Sequence, residues 1–174
     1  MFSLIAAEAA IFTIFVVAYI FYIGKSLSGP TPKDVLELPI FGTVCLLSSS
    51  LTIHLAVTAL RKGKARLFGW WWAVTLTLGA MFLGDTLREW RHLISDKGLT
   101  ISTNLFGTTY YSLVGLHAFH VTVGLVVLAI GMIFTFLGTV KIEHTERAEV
   151  FSLYWHFVDS VWVVVFTVVY VIGR

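Results

Sequence analysis

Charged residues, cysteine and proline are all scarce in this chain. Only 13% of its 174 residues are charged, about half the fraction of an ordinary soluble domain. The net charge of +2 is too small to indicate a nucleic-acid partner. The single cysteine, Cys45, excludes a disulfide within the chain and a cysteine-rich metal site. Composition therefore argues against a soluble domain, a nucleic-acid-binding protein and a disulfide-stabilised fold.

Apolar residues, in contrast, make up 57% of the chain and recur in runs long enough to cross a bilayer. We expect residues 1–174 to form one all-α membrane domain, a polytopic bundle of five transmembrane helices. The first run lacks a basic segment before it and is expected to be a retained helix rather than a cleaved signal. The five spans are predicted at residues 3–23, 38–60, 68–90, 105–137 and 150–173.

Basic residues and aromatic residues predict the orientation and the interfaces. Residues 61–67 contain four Lys or Arg, which favours a cytoplasmic loop and places the amino terminus inside and the carboxyl terminus outside. The whole-chain count is less decisive, because six basic residues fall on each side. Polar and aromatic side chains at both ends of the third span are expected to anchor it at the interfaces. These are Trp70, Trp71, Trp72, Glu89 and Trp90.

Ionisable residues within the spans are the candidate functional residues, because a charge there is costly without a partner. Glu8 lies in the first span among apolar neighbours, and we expect a neutral carboxyl group. It is interpreted either as a proton-handling or lipid-contacting group, or as a hydrogen-bond partner of the next helix. His117 and His120 are three residues apart, as are His156 and Asp159, so each pair shares one helix face.

These polar residues have two interpretations. Histidines on facing helices can ligate haem, and the same side chains can form hydrogen bonds between helices. We favour buried contacts between helices, because no further ligands converge in the sequence to complete a metal site. The residues expected in such contacts are His54, His117, His120, Glu149, His156 and Asp159. No nucleotide-binding, hydrolase or metalloprotease motif is present, so we predict no catalytic residues and no metal site.

Several segments together indicate a family. The segments are IAAEAAIFTIFVVAYIFY, LELPIFGTVCLLSSSLTIHLA, TLTLGAMFLGDTLREW, FGTTYYSLVGLHAFHVTVGL and EVFSLYWHFVDSVWVVVFTVVY. In this order they cover nearly the whole chain, and it resembles subunit III of the haem–copper oxidases in a short five-helix bacterial form. Glu8 matches the intramembrane glutamate of the family's helix, and Glu89 with Trp90 matches its glutamate–aromatic pair.

The resemblance implies an accessory role without catalysis by this chain alone. Subunit III has no cofactor of its own, holds phospholipid and packs against subunit I, which carries haems and copper and reduces oxygen to water. It stabilises that subunit and supports proton uptake. The implied location is the bacterial inner membrane, and the implied partners are subunit I, the other oxidase subunits and lipids.

Two other functions stay open at this point. A subunit-III-like companion of nitric oxide reductase would have nearly the same sequence, and only its partner would distinguish it. A membrane cytochrome b would use the histidines as haem ligands. The sequence leaves the electron donor, the partner's haem types, the lipid species and supercomplex membership undetermined.

Overall fold

The computed structural model describes residues 2–25, 32, 36, 38–138 and 142–173. Over these residues the chain forms five long helices, each apolar enough and long enough to cross a membrane. They are α1 (Phe2–Tyr22), α2 (Ile40–Arg61), α3 (Ala65–Ser95), α4 (Leu105–Phe136) and α5 (Thr145–Phe166). A 3-10 turn (Ile142–His144) precedes α5, and a π-helical segment (Thr167–Ile172) continues it. The predicted all-α membrane fold with five spans is confirmed.

The helix ends follow local chemistry more than hydropathy. The side-chain oxygen of Asn104 accepts a 2.8 Å hydrogen bond from the backbone N–H of Gly107, which caps the start of α4. Gly24 and Gly138 follow α1 and α4 with φ values of 72° and 68°. Glycine adopts this left-handed conformation without a Cβ clash, so it ends a helix readily. Both α3 and α5 extend beyond the predicted spans, because polar residues also continue a helix outside the apolar run.

The contacts divide the chain into two compact units. Unit one comprises Met1–Pro39, Asp85–Phe119 and Ser160–Arg174, and unit two comprises Ile40–Gly84 and His120–Asp159. Unit one contains α1, unit two contains α2, and each of α3, α4 and α5 contributes one part to each unit. The expected single membrane domain over residues 1–174 stays a prediction.

Each unit has an aromatic core. In unit two the Trp155 indole is fully buried. A Cβ atom built on Gly124 would lie 2.6 Å from that ring, and one on Gly79 would lie 3.0 Å from it. Two glycines therefore let the indole pack directly against the backbones of α3 and α4. In unit one, Tyr110, Trp162 and Tyr170 are buried.

Candidate functional site

Hydroxyl side chains on α2 connect the helices of unit two. The indole N–H of Trp155 on α5 donates a 2.9 Å hydrogen bond to the Ser49 hydroxyl. Thr52 shares a 2.8 Å hydrogen bond with Thr75 on α3. Ser49, Thr52 and Thr75 are all buried. Hydrogen bonds are directional, so these contacts specify how α2 packs against its neighbours. The contact of Thr52 with Thr75 specifies the face of α2 that meets α3, and the contact of Ser49 with Trp155 specifies where α2 meets α5.

The sequence-predicted pair His156 and Asp159 lies beside the same helix. Ser50 forms a 2.5 Å hydrogen bond with Nδ1 of His156. Asp159 is 3% exposed and is the only buried acidic residue among those described. The Ser50 hydroxyl also faces the Asp159 carboxyl group, but neither carboxyl oxygen has a hydrogen-bond partner within 3.5 Å among the described residues. Ser50 thus lies between an imidazole and a buried carboxyl group.

Two residues expected to be buried are accessible at the surface of unit two. His54 is exposed, because it follows buried Thr52 by two residues and so points to the opposite side of α2. Glu149 forms an ion pair with Arg61, in which Arg61 Nε donates a 2.7 Å hydrogen bond to Glu149 Oε1. The side chains of Glu149 and Arg61 are 38% and 59% exposed. Both residues of this pair lie at helix ends, where water reaches them. Glu149 therefore joins α5 to α2 at the surface of unit two.

A carboxyl group and two phenols form the polar contact of unit one. Tyr170 donates to Glu89 Oε1 at 3.0 Å, and Tyr110 donates to the same oxygen at 3.2 Å. The two phenol oxygens are themselves 3.2 Å apart. Both tyrosines are buried, whereas Glu89 is half-buried. Glu89 was expected to anchor an interface. Its contacts join α3 to α4 and to the π-helical segment that follows α5.

The two histidines of α4 are both buried, and they have different neighbours. In unit one the His117 ring stacks on Trp162 with 5.0 Å between centroids, and it meets Phe12 of α1 edge-on at 6.3 Å. In unit two the backbone carbonyl of His120 accepts a 3.1 Å hydrogen bond from Tyr154. His117 is therefore part of an aromatic cluster that connects three helices. Glu8, the other predicted residue of unit one, is half-buried on α1.

The predicted tryptophan anchors occupy different environments. Trp70 is 66% exposed and Trp71 is half-buried. Trp72 is only 4% exposed, and its indole N–H donates a 2.9 Å hydrogen bond to the carbonyl of Leu128. Trp72 was expected at the interface, but its indole packs between helices. Successive residues on a helix point about 100° apart, so Trp72 faces a different side of α3 from Trp70 and Trp71. Trp90 is half-buried and packs edge-on against Tyr111.

A pocket of about 420 Å³ opens in unit two near the start of α5. Its wall is mostly apolar and aromatic, and His144 and Arg147 supply polar groups. The apolar lining is Leu60, Phe68, Trp72, Val127, Ile130, Gly131, Phe134, Ala148 and Phe151. This combination suits an amphiphile with an anionic head and hydrocarbon chains. Sequence reasoning missed the pocket, because its lining comes from four helices.

The described residues contain no group of three or more His, Cys, Asp or Glu side chains arranged to hold a metal ion. Sequence reasoning also missed Tyr110, Tyr170 and Arg61 as polar contacts. Nothing in the local sequence of the two tyrosines distinguishes them from packed aromatic residues. The row of hydroxyls at residues 48–50 was a usable signal for Ser49 and Ser50, because hydroxyl side chains on an apolar helix commonly form contacts between helices.

Comparison with known proteins identifies the family. The model of cytochrome c oxidase subunit III matches residues 4–174. The chain belongs to this family. The subunit 3 of cytochrome c oxidase from Alkalihalophilus pseudofirmus is 36% identical over 97% of this chain and 83% of the relative. The subunit 3 of the cytochrome bo(3) ubiquinol oxidase of Pseudomonas aeruginosa is 35% identical over 95% of this chain and 80% of the relative.

A third relative, the subunit 3 of cytochrome c oxidase from Synechocystis, is 35% identical over 97% of this chain and 72% of the relative. The resemblance seen in the sequence is thereby confirmed. Relatives of similar identity include subunits of both cytochrome c and quinol oxidases. Family membership therefore leaves the electron donor open.

Proposed function

We propose that this chain is the accessory subunit III of a respiratory haem–copper oxidase that reduces oxygen to water. In this role it has no haem or copper of its own and stabilises the catalytic subunit I. The match of the family model over residues 4–174 carries the proposal. The contacts of Ser49, Thr52, Glu89 and His117 with other helices of the same chain support a structural use of these side chains.

Co-purification tests the proposed function most directly. A tagged chain should bring a haem-containing subunit with it in mild detergent, and the preparation should consume oxygen. After the partner is detached, the isolated chain should show no Soret absorption band. A preparation that reduces nitric oxide instead of oxygen would assign the chain to a nitric oxide reductase. A Soret band retained by the isolated chain would contradict the accessory role and favour a cytochrome b.

We propose the bacterial inner membrane as the location of this multi-pass protein, with its amino terminus in the cytoplasm. The loop between α2 and α3 supports this orientation, because Arg61, Lys62, Lys64 and Arg66 are all exposed there. Arg61 ends α2 and Glu149 lies near the start of α5, so their ion pair holds these two helix ends at the same level. Both features fit a cytoplasmic interface at this level.

For Glu8 we propose a neutral intramembrane carboxyl group that supports proton handling. Glu8 lies on α1 between Ala7 and Ala9, and it is half-buried within a span of mean hydropathy 2.3. A hydrophobic carbodiimide reacts with protonated carboxyl groups and should therefore label Glu8 in the purified oxidase. Glu8→Gln should abolish that label, preserve assembly and shorten the period of steady turnover. Labelling confined to Glu89 and other acids near helix ends would contradict the proposal.

We further propose that the pocket of unit two holds an anionic phospholipid. Arg147 would pair with the phosphate, and the acyl chains would lie along Phe68, Phe134 and Phe151. Arg147→Gln should therefore lower the phospholipid retained per purified complex, as measured by quantitative mass spectrometry. Arg91→Gln, which removes a cation outside the pocket, is the matched control. Equal lipid content in both variants and the unsubstituted complex would show that Arg147 does not hold the headgroup.

A further inference from the structure

Unit one contains a row of four aromatic side chains that leads from its surface to its core. Trp90 and Tyr111 are half-buried, whereas Tyr110 and Tyr170 are buried. The ring centroids of Trp90 and Tyr111 are 5.6 Å apart, and those of Tyr111 and Tyr110 are 5.1 Å apart. The hydroxyl oxygens of Tyr110 and Tyr170 are 3.2 Å apart. Neighbouring π systems at such distances exchange single electrons readily, so this aromatic row connects the surface with the core.

The polar atoms of the aromatic row have different hydrogen-bond partners. The indole nitrogen of Trp90 has none among the described residues. Tyr111 donates a 2.8 Å hydrogen bond to the backbone carbonyl of Leu99. The hydroxyls of Tyr170 and Tyr110 instead lie 3.0 Å and 3.2 Å from Glu89 Oε1. A carboxylate takes up a proton far more readily than a peptide carbonyl does. The proton acceptor therefore lies at the buried end of the row.

The position of this proton acceptor decides where an oxidised row is most stable. A phenol that loses one electron becomes a strong acid and gives its proton to a base within hydrogen-bond reach. The neutral phenoxyl radical that remains avoids the cost of an unpaired charge in an apolar core. Tyr110 and Tyr170 both meet this condition through Glu89. The hydroxyl of either tyrosine can also donate a hydrogen bond to the oxygen of the other, because the two oxygens are in contact.

We propose that Tyr110 and Tyr170, the tyrosine pair, trap one-electron oxidation that reaches unit one at Trp90. The oxidant is an oxygen-centred radical, such as a peroxyl radical. It accepts one electron and becomes a peroxide anion, which takes a proton from water and leaves hydroxide. The electron comes from the tyrosine pair through Tyr111 and Trp90, and the phenol proton passes to Glu89. The products are one hydroperoxide and one phenoxyl radical.

Tyr19 provides a matched comparison within the same unit. Its side chain is 1% exposed, so it is buried as deeply as the tyrosine pair. Its ring packs against Phe106 at 6.5 Å, and Phe106 packs against Tyr110 at 5.8 Å. The Tyr19 hydroxyl, however, has no hydrogen-bond partner among the described residues. Tyr19 therefore shares the burial and the aromatic contacts of the pair but lacks its proton acceptor.

Electron paramagnetic resonance after rapid photo-oxidation tests where the radical comes to rest. The full-length chain in mild detergent is oxidised by ruthenium(III) tris-bipyridine, generated with light and persulfate, and is frozen at once. Ring-deuterated tyrosine distinguishes a tyrosyl signal from a tryptophan signal. The double variant Tyr110→Phe with Tyr170→Phe should lose more than half of the tyrosyl signal, and Tyr19→Phe should keep it. An undiminished signal in the double variant, or an equal loss in Tyr19→Phe, would overturn the proposal.

Two further measurements test the role of Glu89. Glu89→Gln keeps a carbonyl oxygen as hydrogen-bond acceptor but cannot take up the phenol proton, so the tyrosyl signal should fall about as far as in the double variant. The second measurement needs no substitution at Glu89. In the unsubstituted chain the radical should form more slowly in D₂O than in H₂O, because a proton moves with the electron. An undiminished signal in Glu89→Gln, or equal rates in the two solvents, would overturn the proposal.

Discussion

The hydrogen bond from Trp155 to Ser49 is the contact on which unit two depends. In a bilayer, apolar side chains gain little by turning from lipid toward one another, so helix association relies on close packing and on specific polar contacts. Trp155 supplies both. Its ring packs against the backbones at Gly79 and Gly124, and its N–H reaches Ser49. The position of α5 against α2 then brings His156 to Ser50 and Glu149 to Arg61.

Unit one solves the same problem with different residues. Two buried phenols converge on the Glu89 carboxyl group, and the His117 ring stacks on Trp162. An amphipathic side chain such as tyrosine can fill an apolar core and still supply a hydrogen-bond donor. Aromatic residues consequently serve as both packing and polar partners here. This dual use explains how a chain with few charged residues still specifies its helix contacts.

The membrane fold could be predicted from hydropathy, but the helix ends could not. An apolar run shows where the bilayer lies, whereas a helix continues as long as its backbone remains hydrogen-bonded. Thr145 begins α5 five residues before the predicted span, and Ser95 ends α3 five residues after it. Asn104, whose side chain caps α4, lies directly before the predicted start of that span.

Spacing predicted shared helix faces but not their partners. The interval between His156 and Asp159 placed both on one side of α5, but Ser50 is 106 positions from His156 in the sequence. The exposure of His54 and the burial of Trp72 could not be predicted from the sequence either, because burial depends on how each helix is rotated about its own axis. The sequence motifs allowed the family to be recognised. The local sequence around Tyr110 and Tyr170 did not indicate their contacts with Glu89.

A double-mutant cycle on Ser49 and Trp155 tests the central claim most directly. Ser49→Ala, Trp155→Phe and the double variant are compared by the free energy of unfolding of this chain in the purified complex. If the N–H to hydroxyl contact organises unit two, the cycle should give a favourable coupling between about 0.6 kcal/mol, the average for hydrogen bonds between membrane helices, and about 1.7 kcal/mol, the maximum measured for them. Strictly additive losses would show that Trp155 acts by packing alone and would contradict the account.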